Sequence, residues 1–279
     1  MKTVHLPQEL LSAPLPLLAV FEYESGTEMS KQQILLQTNT FSFLQEGTKE
    51  VFFDNASCII DPKRFLLMKS GNCLMTEKLS DNFERYRSVL FFFQNDAILD
   101  FIRKFELDPL ETLQRRATYS FDYNSYLHGF VHSILHISKL SKTVQEALLQ
   151  VKFEEIMLYL IAQNGTSFIH SLVAERDDHT QRFIQTVQQN RLNKLRVEEL
   201  AFLCDMSVST FKRAFEKHFN SAPGKWFHDK RLEYSAFLLK SESKRPSDIY
   251  EEVGYETLSN FIQAFKVKFG VTPKQYQQN

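Results

Sequence analysis

A segment that occurs twice near the end of the chain constrains its fold more than any other feature. Residues 211–226 read FKRAFEKHFNSAPGKW, and residues 261–276 read FIQAFKVKFGVTPKQY. The identical positions are the pairs Phe211/Phe261, Ala214/Ala264, Phe215/Phe265, Phe219/Phe269 and Pro223/Pro273. An internal repeat of this kind indicates one supersecondary unit that is used twice.

Each copy has the pattern of a helix with defined ends. Apolar residues recur at spacings of three and four, which predicts one buried stripe along a helix. Ser207 and Thr257 are suitable N-caps for these helices. Asn220 and Gly270 are residue types that adopt the left-handed conformation just after a helix, and a proline follows each of them three positions later.

A shorter helical pattern precedes each copy, at residues 197–203 and 248–252. Asp205 or Gly254 ends that pattern before the repeat begins. A helix, a tight turn and a second helix form a helix-turn-helix, the unit that places one helix in the major groove of DNA. The chain is therefore predicted to contain two such units.

The segment that carries the second unit, IYEEVGYETLSNFIQAFKVKFGVTPKQY (residues 249–276), resembles the signature of the AraC/XylS family of bacterial transcription regulators. Residues 195–239 are similar to that family's first helix-turn-helix and to the long helix that joins the two units. The resemblance implies sequence-specific binding to double-stranded DNA and recruitment of RNA polymerase, with an activator as the expected outcome. It covers about a third of the chain closely.

Upstream of the repeat the pattern is that of a separate domain. Between residues 32 and 93, short β-branched or aromatic runs such as RFLLM and SVLFFF alternate with turn signals. Five or more strands at this spacing favour a small barrel or sandwich, and the AraC-type resemblance implies a cupin-like barrel there. Residues 1–31 are expected to be a poorly patterned lead-in.

Helical patterns follow at residues 98–105, 122–138, 142–163 and 167–175. The fold class expected is α+β in two domains, with a regulatory β-barrel and dimerisation helices at 1–176 and an all-α DNA-binding domain at 177–279. The helix pair at 122–138 and 142–163 is long enough to cover the barrel and to offer a surface to a second subunit, so a homodimer is expected.

Charge is distributed unevenly between these two parts. The whole chain carries −1, but residues 181–279 hold 16 Lys and Arg against 11 Asp and Glu, a net +5, which leaves −6 for the rest. Such asymmetry is typical of a module that binds a polyanion. Three widely spaced cysteines, no signal peptide and no apolar run of eighteen residues predict a cytoplasmic protein with no membrane span.

The repeat determines which side of each helix is free. The predicted DNA contacts are Ser209, Thr210, Lys212 and Arg213 on the first helix, and Ser259, Asn260, Gln263 and Lys266 on the second. Arg213 suits a bidentate contact to guanine, and Asn260 and Gln263 suit adenine. The alternative is that these polar side chains are merely solvated.

The second unit departs from the family pattern. Tyr250 stands where the family usually has alanine, Pro246 where an apolar residue is usual, and Gln263 where a basic residue is frequent. We therefore expect the second helix to depend more on DNA shape and phosphate contacts than the first helix does.

The alternative is a metal- or ligand-dependent cupin-type enzyme with an appended DNA-binding module. His128, His132 and His136 lie on one face of a predicted helix, but three in line diverge from a single ion. The predicted strand region contains no histidine to serve as a cupin ligand. The sequence thus favours a non-enzymatic DNA-binding regulator without a cofactor, controlled through its N-terminal domain by a small-molecule effector or a regulatory protein.

Overall fold

The computed structural model describes residues 2–11, 14–54, 57–107, 117–137, 139–173 and 179–278. The chain divides into two compact units, Met1–Arg182 (unit 1) and Phe183–Asn279 (unit 2). This division falls within a helix, His179–Gln189. The predicted boundary between residues 176 and 177 lies outside the described residues and stays a prediction.

All strands among the described residues lie in unit 1. They are β1 (Val4–Leu6), β2 (Leu18–Ser25), β3 (Met29–Leu36), β4 (Asn39–Glu46), β5 (Thr48–Phe52), β6 (Ser57–Ile60), β7 (Arg64–Met68), β8 (Gly71–Lys78), β9 (Tyr86–Phe93) and β10 (Thr118–Asp122). They lie in two five-stranded sheets, with the order β1-β3-β8-β5-β6 in sheet A and β10-β7-β4-β9-β2 in sheet B. Apart from the parallel pair β1–β3, the pairings are antiparallel.

The central strands of sheet B, β4, β7 and β9, are buried on both faces, which explains their long apolar runs. Because successive side chains of a strand point to opposite faces, Phe41, Phe43 and Phe91 pack on one side against the helices of unit 1. Leu44 and Leu66 point to the other side and pack against residues of sheet A. A strand buried on both faces reads as a continuous hydrophobic run.

The helices of unit 1 are α1 (Asn95–Lys104), α2 (Ser125–Ile137), α3 (Lys142–Asn164) and α4 (Ser167–Val173). They share one core with sheet B. Within it, the rings of Phe43 and Phe130 are 5.8 Å apart and those of Phe93 and Phe153 are 5.1 Å apart, measured between centroids. Unit 1 is thus a three-layer arrangement of sheet A, sheet B and helices.

Unit 2 is helical throughout the residues described. After α5 (His179–Gln189) come α6 (Val197–Leu203), α7 (Val208–Phe219), α8 (Pro223–Ser241), α9 (Pro246–Ile249), α10 (Leu258–Phe269) and α11 (Pro273–Gln278). Two hydrophobic clusters form its core, one around α6 and α7 and the other around α9 and α10. Residues of α8 belong to both clusters, so this helix joins the two helix-turn-helix units.

The predicted α+β fold class is confirmed, with an N-terminal part rich in strands and a helical C-terminal part, but the described strands form two separate sheets and not the closed barrel expected. Three local predictions were wrong. Residues 1–31 contain β1 and β2, the start of the predicted helix at 122–138 belongs partly to β10, and the short helix expected at 248–252 is Pro246–Ile249. Pro246 is the first residue of that helix, where its missing N–H has no intrahelical partner to lose. None of the described helices is both long enough and apolar enough to span a lipid bilayer.

Candidate nucleic-acid interface

The first recognition helix, α7, begins and ends as its sequence predicts. The Ser207 side chain accepts a hydrogen bond from the backbone N–H of Thr210 at 3.2 Å, which caps the helix. Asn220 ends the helix in the left-handed conformation, with φ of 49°. Phe211 and Phe215 are fully buried. This fixes the helix rotation, since one stripe of it must face the core.

The opposite stripe of α7 is exposed and basic. Ser209, Thr210, Lys212 and Arg213 are all exposed, as the sequence predicts for that face. No carboxylate of the described residues forms an ion pair with either of the two cations. Glu216, four residues after Lys212, is also exposed on this helix but forms no ion pair with either cation, so both remain accessible to an external anion.

One further cation lies on this face and was missed by the sequence reasoning. Lys217 follows Arg213 by four residues, so the two side chains lie on the same side of the helix one turn apart. Lys217 is exposed. The i, i+4 spacing from Arg213 would have identified it.

The second recognition helix, α10, repeats this construction. Thr257 caps it by accepting a hydrogen bond from the backbone N–H of Asn260 at 3.2 Å, and Gly270 ends it with φ of 78°. Phe261 and Phe265 are fully buried. The N-cap and helix-end predictions are therefore confirmed in both copies.

The exposed stripe of α10 is far less charged than that of α7. Ser259, Asn260, Gln263 and Lys266 are exposed, as predicted. Val267, the counterpart of Lys217 fifty residues earlier, is 82% exposed. The two helices thus present different chemistry from equivalent positions.

Lys268, two residues after Lys266 on the same helix, is already paired within unit 2. Its ammonium group lies 3.2 Å from a carboxylate oxygen of Asp229 and 3.2 Å from one of Glu233, both on α8. Because two carboxylates already surround this cation, its charge is not available as that of Lys266 is. The sequence could not show this, since the partners are more than thirty residues away.

The turns inside the two helix-turn-helix units match each other closely. Asp205 and Gly254 have positive φ values, 57° and 93°. The residue after each donates its N–H to a carbonyl five positions back, Met206 to Ala201 and Tyr255 to Tyr250, both at 2.9 Å. This is the hydrogen-bond pattern with which a left-handed residue closes a helix end.

Aromatic packing attaches each recognition helix to its neighbour. The ring of Trp226 on α8 lies 5.0 Å from that of Phe219, so it packs the joining helix against the first unit. Tyr276 on α11 takes the equivalent position and lies 5.3 Å from Phe269. In addition, the Tyr255 hydroxyl lies 2.9 Å from Nε2 of His228 on α8. The second unit is thus held to α8 by polar as well as apolar contacts.

The histidine stripe of unit 1 does not converge. The rings of His132 and His136 are 4.6 Å apart, whereas His128 stacks on Tyr123 at 4.7 Å. Across the described ranges, no three His, Cys, Asp or Glu side chains are grouped so that they could hold a metal ion.

Comparison with known proteins covers both units. Residues 39–172 match the family model of the ExsA N-terminal regulatory domain, and residues 200–279 match that of the helix-turn-helix domain. An uncharacterized HTH-type transcriptional regulator of Haemophilus influenzae is 32% identical over 141 residues, 50% of this chain and 46% of that protein. The HTH-type transcriptional regulator ExsA of Pseudomonas aeruginosa is 26% identical over 129 residues, 46% of each protein.

Among solved structures, an apo form of ToxT from Vibrio cholerae aligns with a TM-score of 0.45 and 14% identity, over 95% of this chain and 98% of that one. The sequence alignments with the curated relatives span about half of the length of those proteins. The two matched domains occur in the order that the sequence resemblance implies, a regulatory domain followed by a double helix-turn-helix. The chain belongs to the AraC/XylS family of transcription regulators.

Proposed function

We propose that this protein binds double-stranded DNA sequence-specifically and activates transcription through recruitment of RNA polymerase. The observation that carries the proposal is the pair of equivalent helices in unit 2, each with a buried phenylalanine stripe and an exposed polar stripe. An α-helix fits the major groove, where exposed side chains reach the base edges. A DNA target also agrees with the expected cytoplasmic location.

The two recognition helices contact different bases. On α7, Arg213 contacts a guanine through its two-pronged guanidinium, and Lys212 and Lys217 contact phosphates. On α10, Asn260 and Gln263 contact adenine edges, and Lys266 contacts phosphate. The two halves of the site are therefore expected to differ, with a guanine contact and more phosphate contacts at α7 and adenine contacts at α10.

The arrangement of the two units in one chain determines the form of the DNA site. Two recognition helices in one protomer reach successive major grooves on one face of DNA, about 34 Å apart. Since the two helices expose different side chains, the site read by one protomer needs no palindrome. Asymmetric sites, or direct repeats bound by two protomers, are expected.

The test is binding of the full chain to a promoter-sized duplex and to a random duplex over a salt series, measured by fluorescence anisotropy. A specific reader prefers one duplex, and its affinity falls steeply with salt. The Arg213→Ala variant should lose roughly 5- to 150-fold in affinity for the preferred base at one position. The Arg213→Lys variant is the control, since it keeps the charge but loses the bidentate fork. Equal binding of both duplexes at every salt concentration would refute sequence-specific reading.

We infer that the chain forms a homodimer through the exposed face of α3. One side of α3 is buried in the core of unit 1 through Leu149, Phe153 and Ile156. Its other side exposes Val144, Leu148, Val151 and Leu158 at 37–58% of their full accessibility. These spacings of four, three and seven are those of a coiled-coil seam.

A second copy of this helix is the occupant that the seam fits best. If two copies cross antiparallel with Val151 on the two-fold axis, Val144 of each copy lies opposite Leu158 of the other. A two-fold interface must be self-complementary in this way. Val151→Glu is expected to shift the chain from dimer to monomer in analytical ultracentrifugation, whereas Gln163→Glu, off the seam on the same helix, should leave the dimer intact. A Val151→Glu variant that remained dimeric would contradict this interface.

We further propose that a small-molecule effector or a regulatory protein controls DNA binding through unit 1. Purified chain that carries a low-mass ligand, detected by mass spectrometry after denaturation, would favour the effector. Co-purification of a stoichiometric protein would favour the partner. For the enzyme alternative, no arrangement of the described residues supplies a supporting observation.

A further inference from the structure

A cavity of about 210 Å³ lies within the strand region of unit 1. Strands of both sheets line it, so it occupies part of the space between sheet A and sheet B. Most of its wall is apolar, including Ile34, Leu36, Met68, Met75, Leu90 and Phe92. Cores normally close such a space, because a void of this size forfeits packing contacts on every side. Its persistence here points to an occupant.

The polar end of the cavity is an ion pair in the interior. The Lys49 ammonium lies 3.2 Å from a Glu77 carboxylate oxygen, and the two side chains are 2% and 5% exposed. Lys49 also donates a hydrogen bond to the Ser42 hydroxyl at 3.1 Å. Because one positive and one negative charge oppose each other, this end of the cavity has no net charge while it keeps hydrogen-bonding capacity.

A third side chain at this end, that of Tyr23, adds no charge to the neutral pair. Tyr23 lines the cavity, and burial together with the nearby Glu77 carboxylate raises the pKa of its phenol. The phenol is therefore protonated at neutral pH. A ligand here meets hydrogen-bonding groups and apolar walls but no unbalanced charge.

The cavity reaches the surface at its other end. Leu6, Glu9 and Leu10 contribute to the wall there; Leu6 and Leu10 are half-buried and Glu9 is exposed. A molecule can therefore enter beside the segment that follows β1 and extend its polar end toward Lys49 and Glu77.

Size limits the candidates. A dry apolar cavity of about 150 Å³ accommodates benzene, so a space of this volume suits a molecule of roughly eight to ten heavy atoms. Charge limits them further. An anion would bring an unbalanced charge next to a pair that is already neutral, or would have to displace Glu77 from its partner, and both are costly in the interior.

We propose that this cavity binds an uncharged, largely apolar molecule of this size whose single hydroxyl or carbonyl group hydrogen-bonds at the Lys49–Glu77 pair. Its action as the effector rests on the proposed regulatory function, but its binding does not. The carboxylate of the same chain length is the discriminating competitor, because it matches the apolar part and differs in charge.

The test uses 1-octanol and octanoate with the full-length chain at pH 7, followed by calorimetry and by ligand-observed NMR. The expected result is saturable binding of 1-octanol. Octanoate should bind roughly 100-fold more weakly or worse, because its carboxylate must either take up a proton or be buried without a compensating charge. Octanoate binding as tightly as 1-octanol would overturn the assignment of an uncharged ligand. Saturable binding of neither probe would overturn the site.

Variants of the wall locate the binding. Met75→Trp fills the cavity and should abolish 1-octanol binding, whereas Ile59→Trp on the exposed surface of β6 should leave it unchanged. If the Met75 variant fails to fold, Leu10→Trp at the half-buried entrance serves instead. Unchanged binding in a folded wall variant would place the probe elsewhere and refute the site.

A DNA-binding measurement separates two claims, namely that the cavity binds the ligand and that the ligand acts as the effector. If 1-octanol binds and changes the affinity of the chain for its duplex, the effector assignment is supported. If it binds and the affinity stays the same, the ligand is not the effector. If 1-octanol binds but no duplex is recognised under any salt condition, the proposed DNA function fails while the cavity assignment stands.

Discussion

Replacing Lys49 with methionine tests the energetics of the buried ion pair directly. The substitution keeps most of the side-chain volume but leaves the Glu77 carboxylate, which is 95% buried, without its partner. Removal of one member of a buried pair costs about 3–5 kcal/mol, because the other charge stays in the interior uncompensated. For a unit of this size, about 2–4 °C in Tm per kcal/mol converts this into a loss of roughly 6–20 °C.

The double variant K49M/E77M separates the cost of an orphaned charge from the value of the pair. With both charges absent, stability should return to within about 1 kcal/mol of the original or exceed it by about 1–4 kcal/mol. Thermal and urea unfolding followed by circular dichroism measures all three proteins. Arg64→Met is the matched control, since Arg64 and Asp122 form a 2.8 Å pair with side chains 53% and 79% exposed, and such pairs contribute only about 0–1 kcal/mol.

Two results would refute this reasoning. If K49M costs no more than Arg64→Met, the interior around the pair is hydrated well enough to screen the charge. If Glu77→Met fails to rescue K49M, the loss comes from packing around the lysine stem and not from the unpaired carboxylate. Either result would also weaken the argument that the cavity excludes anions.

Phe265 is fully buried, so Phe265→Ala should cost about 3–5 kcal/mol and abolish DNA binding by unfolding the second helix-turn-helix. Val267→Ala, on the exposed face of the same helix, should leave the unfolding transition measured by circular dichroism unchanged. Burial lowers the pKa of His228, so the neutral imidazole contributes stability that is complete above the unfolded pKa of about 6.5 and is lost as the pH falls through the folded pKa. In His228→Gln, the free energy of unfolding in urea should therefore change less between pH 7.5 and pH 5 than in the original chain. Gly47→Ala should lower the Tm, because Gly47 has φ of 89° and a Cβ there would lie 2.3 Å from a backbone carbonyl oxygen, whereas Gly26→Ala meets open space and should not.

Much of unit 2 could be predicted from the sequence because its signals are local. A cap such as Ser207, a left-handed residue such as Gly270 and a phenylalanine every four residues each act within a few positions of the chain. The two copies also confirm each other, since any rotation of α7 that buried Phe211 and Phe215 had to apply to α10 as well. The exposed positions of the candidate interface followed from this constraint alone.

The sheets of unit 1 depend on pairings that a local pattern does not contain. The runs RFLLM and SVLFFF were identified because strands of sheet B are buried on both faces. Strand β3, MSKQQILL, has a polar half and is recognisable as a strand only through its pairing with β8, some forty residues later. Likewise β10 is ordered by its antiparallel register with β7, where Phe121 lies opposite Phe65.

The sequence by itself determined the two helix-turn-helix units, the free face of each recognition helix and the division into a β-rich and a helical part. Only the tertiary structure decided which charges are free and which are neutralised. Lys266 and Lys268 are two residues apart on one helix, yet α8 supplies carboxylates to Lys268 alone. Lys49 reads as a surface residue in the sequence, but the pairing of β5 with β8 places it opposite Glu77 in the interior. The electrostatic environment of a side chain is set by groups distant in sequence, and these come together only when the chain folds.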